Sequence, residues 1–335
     1  MKNKIKYLAV LLSLSLLLTA CSFGDKASHK IGVLSDNRID NDPRIGQISQ
    51  SIEALGDSYS YTTHKGNKDR DYMSIIERLI KKDYRTIIGS SFIHNTAFEN
   101  MADQNEQVNF IVLDSVIDPE RENLLSVRFK SEEAAFIAGY AAGLKTKSNM
   151  VGFIGVKSDL LNDYHEYGFK SGILAAAEEL NKQIALKTEY LEKYSDFSQG
   201  QAKAKDLYEI GIDIIYHTGG ESGLGVDEAA EDMSRFSISY GLNETSKDSP
   251  HIMMSISPDY KMSTDQALRD VTNKDAKRKA AYGFAENSLS LNPYIEESYL
   301  DQETYNKILS KIEEIKAGKA KIAFNEESYK NLLEK

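Results

Sequence analysis

Polar residues that could bind a ligand follow directly after several short apolar runs of this 335-residue chain. Asp36 follows one run, Asp114 follows another, and the glycine-rich stretch 217–225 follows a third. Carboxylates accept hydrogen bonds from hydroxyl and ring N–H groups, and glycine allows backbone N–H groups to approach a ligand closely. A single Asp or Ser at such a position is often only a helix cap, so the cluster carries the prediction. It predicts a binding site for a small polar molecule.

The sequence contains no recognisable catalytic or metal-binding motif. His165 lacks the second histidine of a zinc-protease HExxH helix, and residues 220–225 complete neither a nucleophile elbow nor a phosphate-binding loop. Arg38 and Pro43 interrupt the acidic stretch around residue 40, which argues against a calcium-binding loop. We therefore predict no enzymatic activity, no metal site and no cofactor.

Short β-rich runs alternate with longer amphipathic runs along most of the chain. Residues 110–113 (FIVL) are continuously apolar, which suits a strand buried on both faces of a parallel sheet. Strand followed by helix, repeated, predicts an α/β fold with right-handed crossovers. The pattern restarts near Val151, so we predict two Rossmann-like lobes with parallel sheets around a hinge.

Each predicted lobe combines a main segment with a later piece of the chain. The N-terminal lobe contains residues 31–129 with part of 250–291. The C-terminal lobe contains residues 130–249 with part of 292–335. The first hinge crossing is predicted near Lys130, and later crossings near Ser249 and Asn292. Ligands of such sheets lie beyond the carboxyl ends of the strands, so two facing lobes would close on a small molecule.

The N-terminus is typical of a secreted lipoprotein. Lys2, Lys4 and Lys6 precede an apolar stretch, residues 7–18, and Cys21 follows it. The apolar stretch is shorter than the roughly 20 residues that span a bilayer. We predict a signal peptide (1–20), a fatty-acyl lipid such as palmitate on Cys21, and a short tether (21–30) at the extracytoplasmic face of a cell membrane.

The remaining body is acidic and contains no cysteine pair. The signal segment carries three positive charges and no negative ones, so its removal lowers the formal net charge from −10 to −13. Such a surface disfavours nucleic acid as a partner. Cys21 is the only cysteine, so no internal disulfide can stabilise the fold.

One segment resembles a known family in order and spacing. It comprises residues 126–129 (SVRF), 132–142 (EEAAFIAGYAA), 145–147 (KTK) and 151–155 (VGFIG). This segment is similar to the basic membrane protein family, whose purine-nucleoside-binding lipoproteins serve ABC importers. The resemblance implies a type I periplasmic-binding-protein fold, a nucleoside-like ligand in the cleft between the lobes, and an ABC permease as partner.

The resemblance also implies site residues. Asp36, Asn95 and Asp114 match family positions that hold the base and ribose. The matching glycine-rich loop contributes Gly219, Gly220, Gly223 and Gly225. Its glycines would bring backbone N–H groups to the ligand, although a plain tight turn explains them equally well from the sequence.

Three positions depart from the family pattern. Ile45 stands where the family has a ring-stacking phenylalanine, Asp227 replaces a second phenylalanine, and Asn243 replaces a late aspartate. Each lost ring would remove about 1–3 kcal/mol of stacking, by analogy with bases on aromatic side chains. Tyr164 and His165 are candidate replacement rings.

Two functions therefore stay open from the sequence. The first is a lipid-anchored solute receptor of an ABC importer. The alternative is a surface regulatory or adhesive lipoprotein that has kept the fold and lost nucleoside binding, which Ile45 and Asp227 favour. Phe92, also aromatic and near the expected site, is predicted to anchor a loop.

Overall fold

The computed structural model of the protein describes residues 29–36, 41–157, 161–242, 249–293 and 299–334. The predicted signal peptide, Cys21 and most of the predicted tether lie outside these residues, and so does Asn243. Among the described residues, no helix combines the length and apolar character needed to cross a membrane.

The first sheet contains six parallel strands within the described ranges. They are β1 (His29–Asp36), β2 (Tyr59–Gly66), β3 (Thr86–Gly89), β4 (Asn109–Leu113), β5 (Leu124–Phe129) and β11 (Lys279–Tyr282), in the spatial order β11-β5-β4-β3-β1-β2. Its helices are α1 (Pro43–Glu53), α2 (Asp69–Lys81), α3 (Asn95–Gln104) and α8 (Tyr260–Thr272).

The second sheet has the same strand arrangement with one antiparallel addition. Its described strands are β6 (Met150–Val156), β7 (Ala185–Leu191), β8 (Ile214–His217), β9 (Phe236–Tyr240), β10 (Ile252–Pro258) and β12 (Leu289–Pro293), in the order β12-β10-β9-β8-β6-β7. Only β12 runs antiparallel among these, against β10. The accompanying helices are α4 (Ser131–Lys145), α5 (Asn162–Leu180), α6 (Phe197–Glu209), α7 (Glu221–Asp232), α9 (Gln302–Lys316) and α10 (Glu326–Leu333).

Burial of the central strands confirms the predicted parallel α/β arrangement. Phe110, Ile111, Val112 and Leu113 are all fully buried in β4. A strand covered by helices on both faces needs apolar side chains at successive positions, which is the pattern that the sequence shows here.

Close helix packing explains the small residues of the family-like segment. The segment lies in α4 and places Gly139 against α5, where an added Cβ would come within 2.1 Å of the Phe169 carbonyl oxygen. Gly172 of α5 makes the reciprocal approach, at 2.0 Å from the Phe136 carbonyl oxygen. These glycines therefore bring two helix backbones together, and the segment is structural.

The chain passes between the sheets at three places within the described residues. It crosses after β5 into α4, after β10 into α8, and between β11 and β12. The later crossings thus follow Pro258 and Tyr282, not Ser249 and Asn292 as predicted. The apolar pattern of the short strand β10 is compatible with either sheet. Its pairing with β9 is what assigns it to the second sheet.

Hydrogen bonds join these crossing segments. The Glu133 carboxylate accepts from the Phe284 backbone N–H at 2.9 Å, and the Lys130 N–H donates to the Tyr282 carbonyl at 2.8 Å. The Asp259 N–H donates to the Ser288 carbonyl at 2.9 Å. The hinge is therefore a connected unit of backbone and side-chain contacts.

Candidate functional site

The edge of the first sheet at which its strands end, called here the first carboxyl edge, brings the three predicted binding residues onto neighbouring strands. Asp36 ends β1, Asn95 begins the helix after β3, and Asp114 directly follows β4. These strands are adjacent in the order β4-β3-β1, so the residues occupy one edge. Asp36 is buried, and Asp114 has a φ of 51°, a left-handed conformation that Asp tolerates better than most residues.

Asn95 is held by a chain of side-chain hydrogen bonds. Its carbonyl oxygen accepts from the Ser115 hydroxyl at 2.9 Å, and Ser115 in turn accepts from the Ser126 hydroxyl at 3.1 Å. These bonds occupy the carbonyl oxygen of Asn95. The amide nitrogen is thus the group that Asn95 can offer to a ligand.

An ion pair that the sequence reasoning missed lies beside these residues. The Arg44 guanidinium binds the Asp42 carboxylate with two hydrogen bonds, each of 2.8 Å. Burial disfavours the charged form of Arg44, but the hydrogen bond to Asp42 and the neighbouring Tyr260 and Asp114 raise its pKa above the ordinary value. Arg44 is therefore a permanent cation within reach of Asp114. No local sequence pattern indicates that these two side chains pair.

His94 adds a buried neutral acceptor to the first carboxyl edge. Burial lowers the pKa of His94 to about 4, with a further lowering by Arg44 and opposing contributions from Ser91, Asp36 and Asp42. Its Nδ1 lies 2.9 Å from the Ser91 carbonyl oxygen, which can only accept, so Nδ1 carries the proton. Nε2 is then a bare acceptor.

The edge at which the strands of the second sheet end, the second carboxyl edge, carries the glycine-rich loop. Gly220 has a φ of 56° and precedes the first residue of α7, so a glycine is required there. Gly219 lies in the turn, whereas Gly223 and Gly225 are inside α7. An added Cβ on Gly225 would come within 2.1 Å of the Phe197 carbonyl oxygen of α6. Gly225 thus serves helix packing rather than an open turn.

Asp227 lies inside the second lobe and does not occupy a stacking position. Its Oδ1 accepts from the Ser237 hydroxyl at 2.6 Å and contacts His217 Nε2 at 3.0 Å. All three side chains are buried. Gly223 leaves room for His217, because a Cβ there would come within 2.4 Å of its Nδ1. The network is structural and fixes the loop after β8.

The aromatic candidates have different environments. His165 is buried, lies 2.8 Å from the Tyr216 hydroxyl through Nδ1, and packs edge-on against Tyr240. Tyr164 lies between the Arg128 guanidinium, 4.5 Å from its ring, and Phe324.

Phe92 differs from its prediction. It is 59% exposed in the short 3₁₀ turn after β3, so it does not anchor a loop. Ile45 is half-buried and packs against the core. Phe92 is therefore an exposed ring at the first carboxyl edge, while Ile45 offers only aliphatic surface.

The Arg128 contact also relates the two lobes. Arg128 is near the end of β5 in the first sheet, and Tyr164 is in the first turn of the helix after β6 in the second. The two carboxyl edges therefore meet on this side of the hinge.

Buried polar atoms without a partner among the described residues occur at both carboxyl edges. Ser90 Oγ and His94 Nε2 are at the first, and Thr218 Oγ1 and Ser239 Oγ are at the second. Buried polar groups are normally hydrogen-bonded, and an orphan costs about 1–3 kcal/mol. A polar ligand or ordered water between the lobes would satisfy such groups.

Comparison with known proteins identifies the class to which this two-lobed fold belongs. A family model described as "ABC transporter substrate-binding protein PnrA-like" (Bmp) matches residues 26–326. The chain belongs to this family, which confirms the resemblance seen in the sequence. The family consists of substrate-binding proteins of ABC transporters and not of enzymes.

Individual relatives support the family at low identity. Basic membrane protein D of Borreliella burgdorferi is 27% identical over 349 residues, covering 99% of this chain and 98% of that protein. The "ABC transporter nucleoside-binding protein BmpA" of Lactococcus lactis is 28% identical over 214 residues, covering 62% of this chain and 59% of that protein.

A solved solute-binding protein from Aeropyrum pernix has a TM-score of 0.70 at 16% identity, covering 91% of this chain and 96% of its own. At this identity the likeness shows the fold alone, and it confirms the predicted type I periplasmic-binding-protein architecture.

Proposed function

We propose that this protein captures a nucleoside, or a similarly sized polar molecule, between its lobes and presents it to an ABC permease. The observation that carries the proposal is the position of Asp36, Asn95 and Asp114 on three neighbouring strand ends. They combine carboxylate acceptors with an amide donor, a set that suits ribose hydroxyls and ring N–H groups.

The second carboxyl edge contributes the other half of the proposed site. Gly219 and Gly220 lead into the N-terminus of α7, where backbone N–H groups lack intrahelical partners. Thr218 and Ser239 have buried hydroxyls on the same side. A ligand held by the first lobe would satisfy these groups when the lobes close about the hinge.

Ile45 has no aromatic ring on which a base could stack. An aliphatic side chain still covers one face of a base through dispersion and burial, and Phe92 offers an exposed ring at the same edge. We therefore expect nucleoside binding to depend more on the polar groups than on a pair of rings.

We further propose that a lipid on Cys21 holds the protein at the outer face of the cell membrane. The order of basic residues, apolar stretch and single cysteine supports this attachment. Mass spectrometry of the protein purified from membranes should find an acylated N-terminal cysteine, and Cys21→Ser should release the chain into the medium. A Cys21→Ser protein that stays membrane-bound would contradict lipid anchoring.

Calorimetry tests the ligand proposal. The purified protein would be titrated with adenosine, guanosine, inosine and uridine, and separately with free bases and with ribose. We expect saturable heat with at least one nucleoside and weaker heat with its separate base and sugar. Absence of binding across the whole panel would overturn the nucleoside proposal and would leave the surface regulatory role in its place.

A further inference from the structure

The edge of the first sheet at which its strands begin, the amino edge, is where the described chain starts. His29 is the first residue of β1, and it follows Cys21 by eight residues. A chain of eight residues reaches at most about 28 Å. If Cys21 is lipid-anchored, as proposed above, the amino edge is the part of the body nearest to the membrane.

An open groove of about 480 Å³ lies on this edge. Its apolar lining comes from Ile31, Leu55, Leu268 and Val271, which lie in β1, in the turn after α1 and in the last turns of α8. Basic side chains line it as well, namely Lys30, Arg85 and Arg269. We call these three residues and the adjoining Lys82 the basic rim.

The cations of the basic rim are mostly not neutralised. Lys30 Nζ donates to the Lys82 carbonyl oxygen at 2.9 Å, and Arg269 donates to the Gln266 side chain at 2.8 Å. Arg85 pairs with Asp83 at 2.6 Å, and it is the one member of the rim with a carboxylate partner among the described residues.

Asp265, the second carboxylate that lines the groove besides Asp83, already has partners. Asp265 accepts from the Ser51 hydroxyl at 2.5 Å and pairs with Lys261 at 3.1 Å. The loop that follows α8 adds two exposed cations, Lys274 and Lys277, and one exposed carboxylate, Asp275. The groove side of the edge is thus locally basic, with Asp57 as a further exposed carboxylate beside it, on a body whose charge after signal removal is −13. The starts of β4 and β5, farther along the edge, carry the exposed carboxylates Glu106, Glu120 and Glu122.

We propose that the basic rim rests on the membrane and binds anionic phospholipid headgroups, which fixes the resting orientation of the receptor. Each Lys or Arg near an anionic surface contributes about 1 kcal/mol, which is about fivefold in binding. The rest of the acidic body is repelled by the same surface. The contact is weak enough to break, so it positions the receptor without preventing delivery to a permease.

Vesicle sedimentation tests the binding of the basic rim to phospholipid in the absence of the acyl group on Cys21 and of the transported ligand. The probe protein is the mature chain from residue 21 carrying Cys21→Ser, and the vesicles contain phosphatidylcholine alone or mixed with phosphatidylglycerol. The rim variant carries Lys30→Gln, Lys82→Gln, Arg85→Gln and Arg269→Gln. We expect it to bind the mixed vesicles at least about tenfold more weakly than the unaltered chain does.

A matched variant removes the same charge from the second lobe. It carries Lys182→Gln, Lys187→Gln, Lys193→Gln and Lys319→Gln, all at exposed positions. We expect its binding to the mixed vesicles to stay close to that of the unaltered chain. Raising the salt concentration should weaken the interaction of the unaltered chain with the mixed vesicles.

Equal binding by the two variants, or no preference of the unaltered chain for phosphatidylglycerol, would overturn the proposal. Ligand calorimetry on the rim variant keeps this result separate from the proposed function, since the rim is at the opposite end of the strands from the candidate site. Unchanged ligand heat with lost vesicle binding supports the rim alone. Acylation of Cys21 is tested independently by mass spectrometry.

Discussion

The two carboxyl edges use different chemistry around similar strand arrangements. The first presents charged groups, namely Asp36, Asp42, Arg44 and Asp114, with His94 as a neutral acceptor. Near the end of β8, the second presents glycine backbone and hydroxyl groups, and the carboxylate of Asp227 points into the lobe.

The difference predicts a division of labour. We expect charged acceptors on the first edge to choose the ligand, and tightly packed helices on the second edge to shape the turn that would close over it. Substitutions on the first edge should therefore change ligand affinity or the pH dependence of stability. Substitutions on the second should mainly change the free energy of unfolding.

The largest expected effect is on packing in the second lobe. In Gly225→Ala, the new Cβ would lie 2.1 Å from the Phe197 carbonyl oxygen, so α6 and α7 must separate. We expect a loss of about 3 kcal/mol or more in the free energy of unfolding, measured by urea denaturation.

Gly46→Ala is the matched control on the first lobe. A Cβ on Gly46 meets nothing within 4 Å, and the residue lies within a helix. The substitution should raise stability by about 0.5–1 kcal/mol. Similar losses in the two variants would contradict the proposed difference between the lobes.

The second prediction concerns His94 and pH. Its pKa is about 4 in the folded protein and about 6.5 when unfolded, so between these values only the unfolded chain holds the proton. Stability should therefore fall as pH is lowered from 6.5 towards 4, by about 3 kcal/mol from this group. Urea unfolding of the wild type and of His94→Gln at several pH values isolates the effect. If the free energies of unfolding of the wild type and of His94→Gln changed with pH in the same way, this prediction would be contradicted.

The sequence was sufficient for the layout of the fold. The apolar runs at 110–113 and 151–156 correspond to strands, since burial on both faces demands such runs. The edge strands β11 and β12 escaped prediction because they have four and five residues and are only partly buried. Their place depends on long-range pairing, which a local pattern does not record.

The candidate site was predictable only in part. Asp36 and Asp114 follow strands, so their common edge was expected from the sequence and the family resemblance. The pairing of Arg44 with Asp42 depends on side-chain rotamers and burial, which spacing alone does not show. Likewise, Gly225 looks like a loop residue in the sequence, and only the approach of α6 reveals its packing role.

A smaller stability effect is expected at the buried carboxylate of the second edge. Asp227→Ala removes the acceptor of Ser237 and the partner of His217, leaving two buried polar groups unpaired. We expect a loss of about 2 kcal/mol in the free energy of unfolding. Asp232→Ala is the control, because Asp232 ends the same helix at an exposed position. Equal effects of the two substitutions would show that the network does not stabilise the lobe.

The smallest free-energy change is expected in binding at the first edge. Asp114→Asn keeps the shape of the side chain but replaces a carboxylate oxygen with a donor, which removes one charged acceptor from the proposed site. Affinity for the nucleoside found by calorimetry should fall about tenfold, or about 1.4 kcal/mol, with little change in stability.

Asp118→Asn makes the same charge change at an exposed position of the first lobe, where Asp118 pairs with Lys279 at 3.2 Å. It should leave the affinity unaltered. If Asp118→Asn and Asp114→Asn weaken binding equally, only the overall charge matters. The charged edge would then lose its role in choosing the ligand. If Asp114→Asn alone weakens binding, recognition depends on the position of this carboxylate beside Asn95 and Arg44, and the two carboxyl edges differ in function as they do in chemistry.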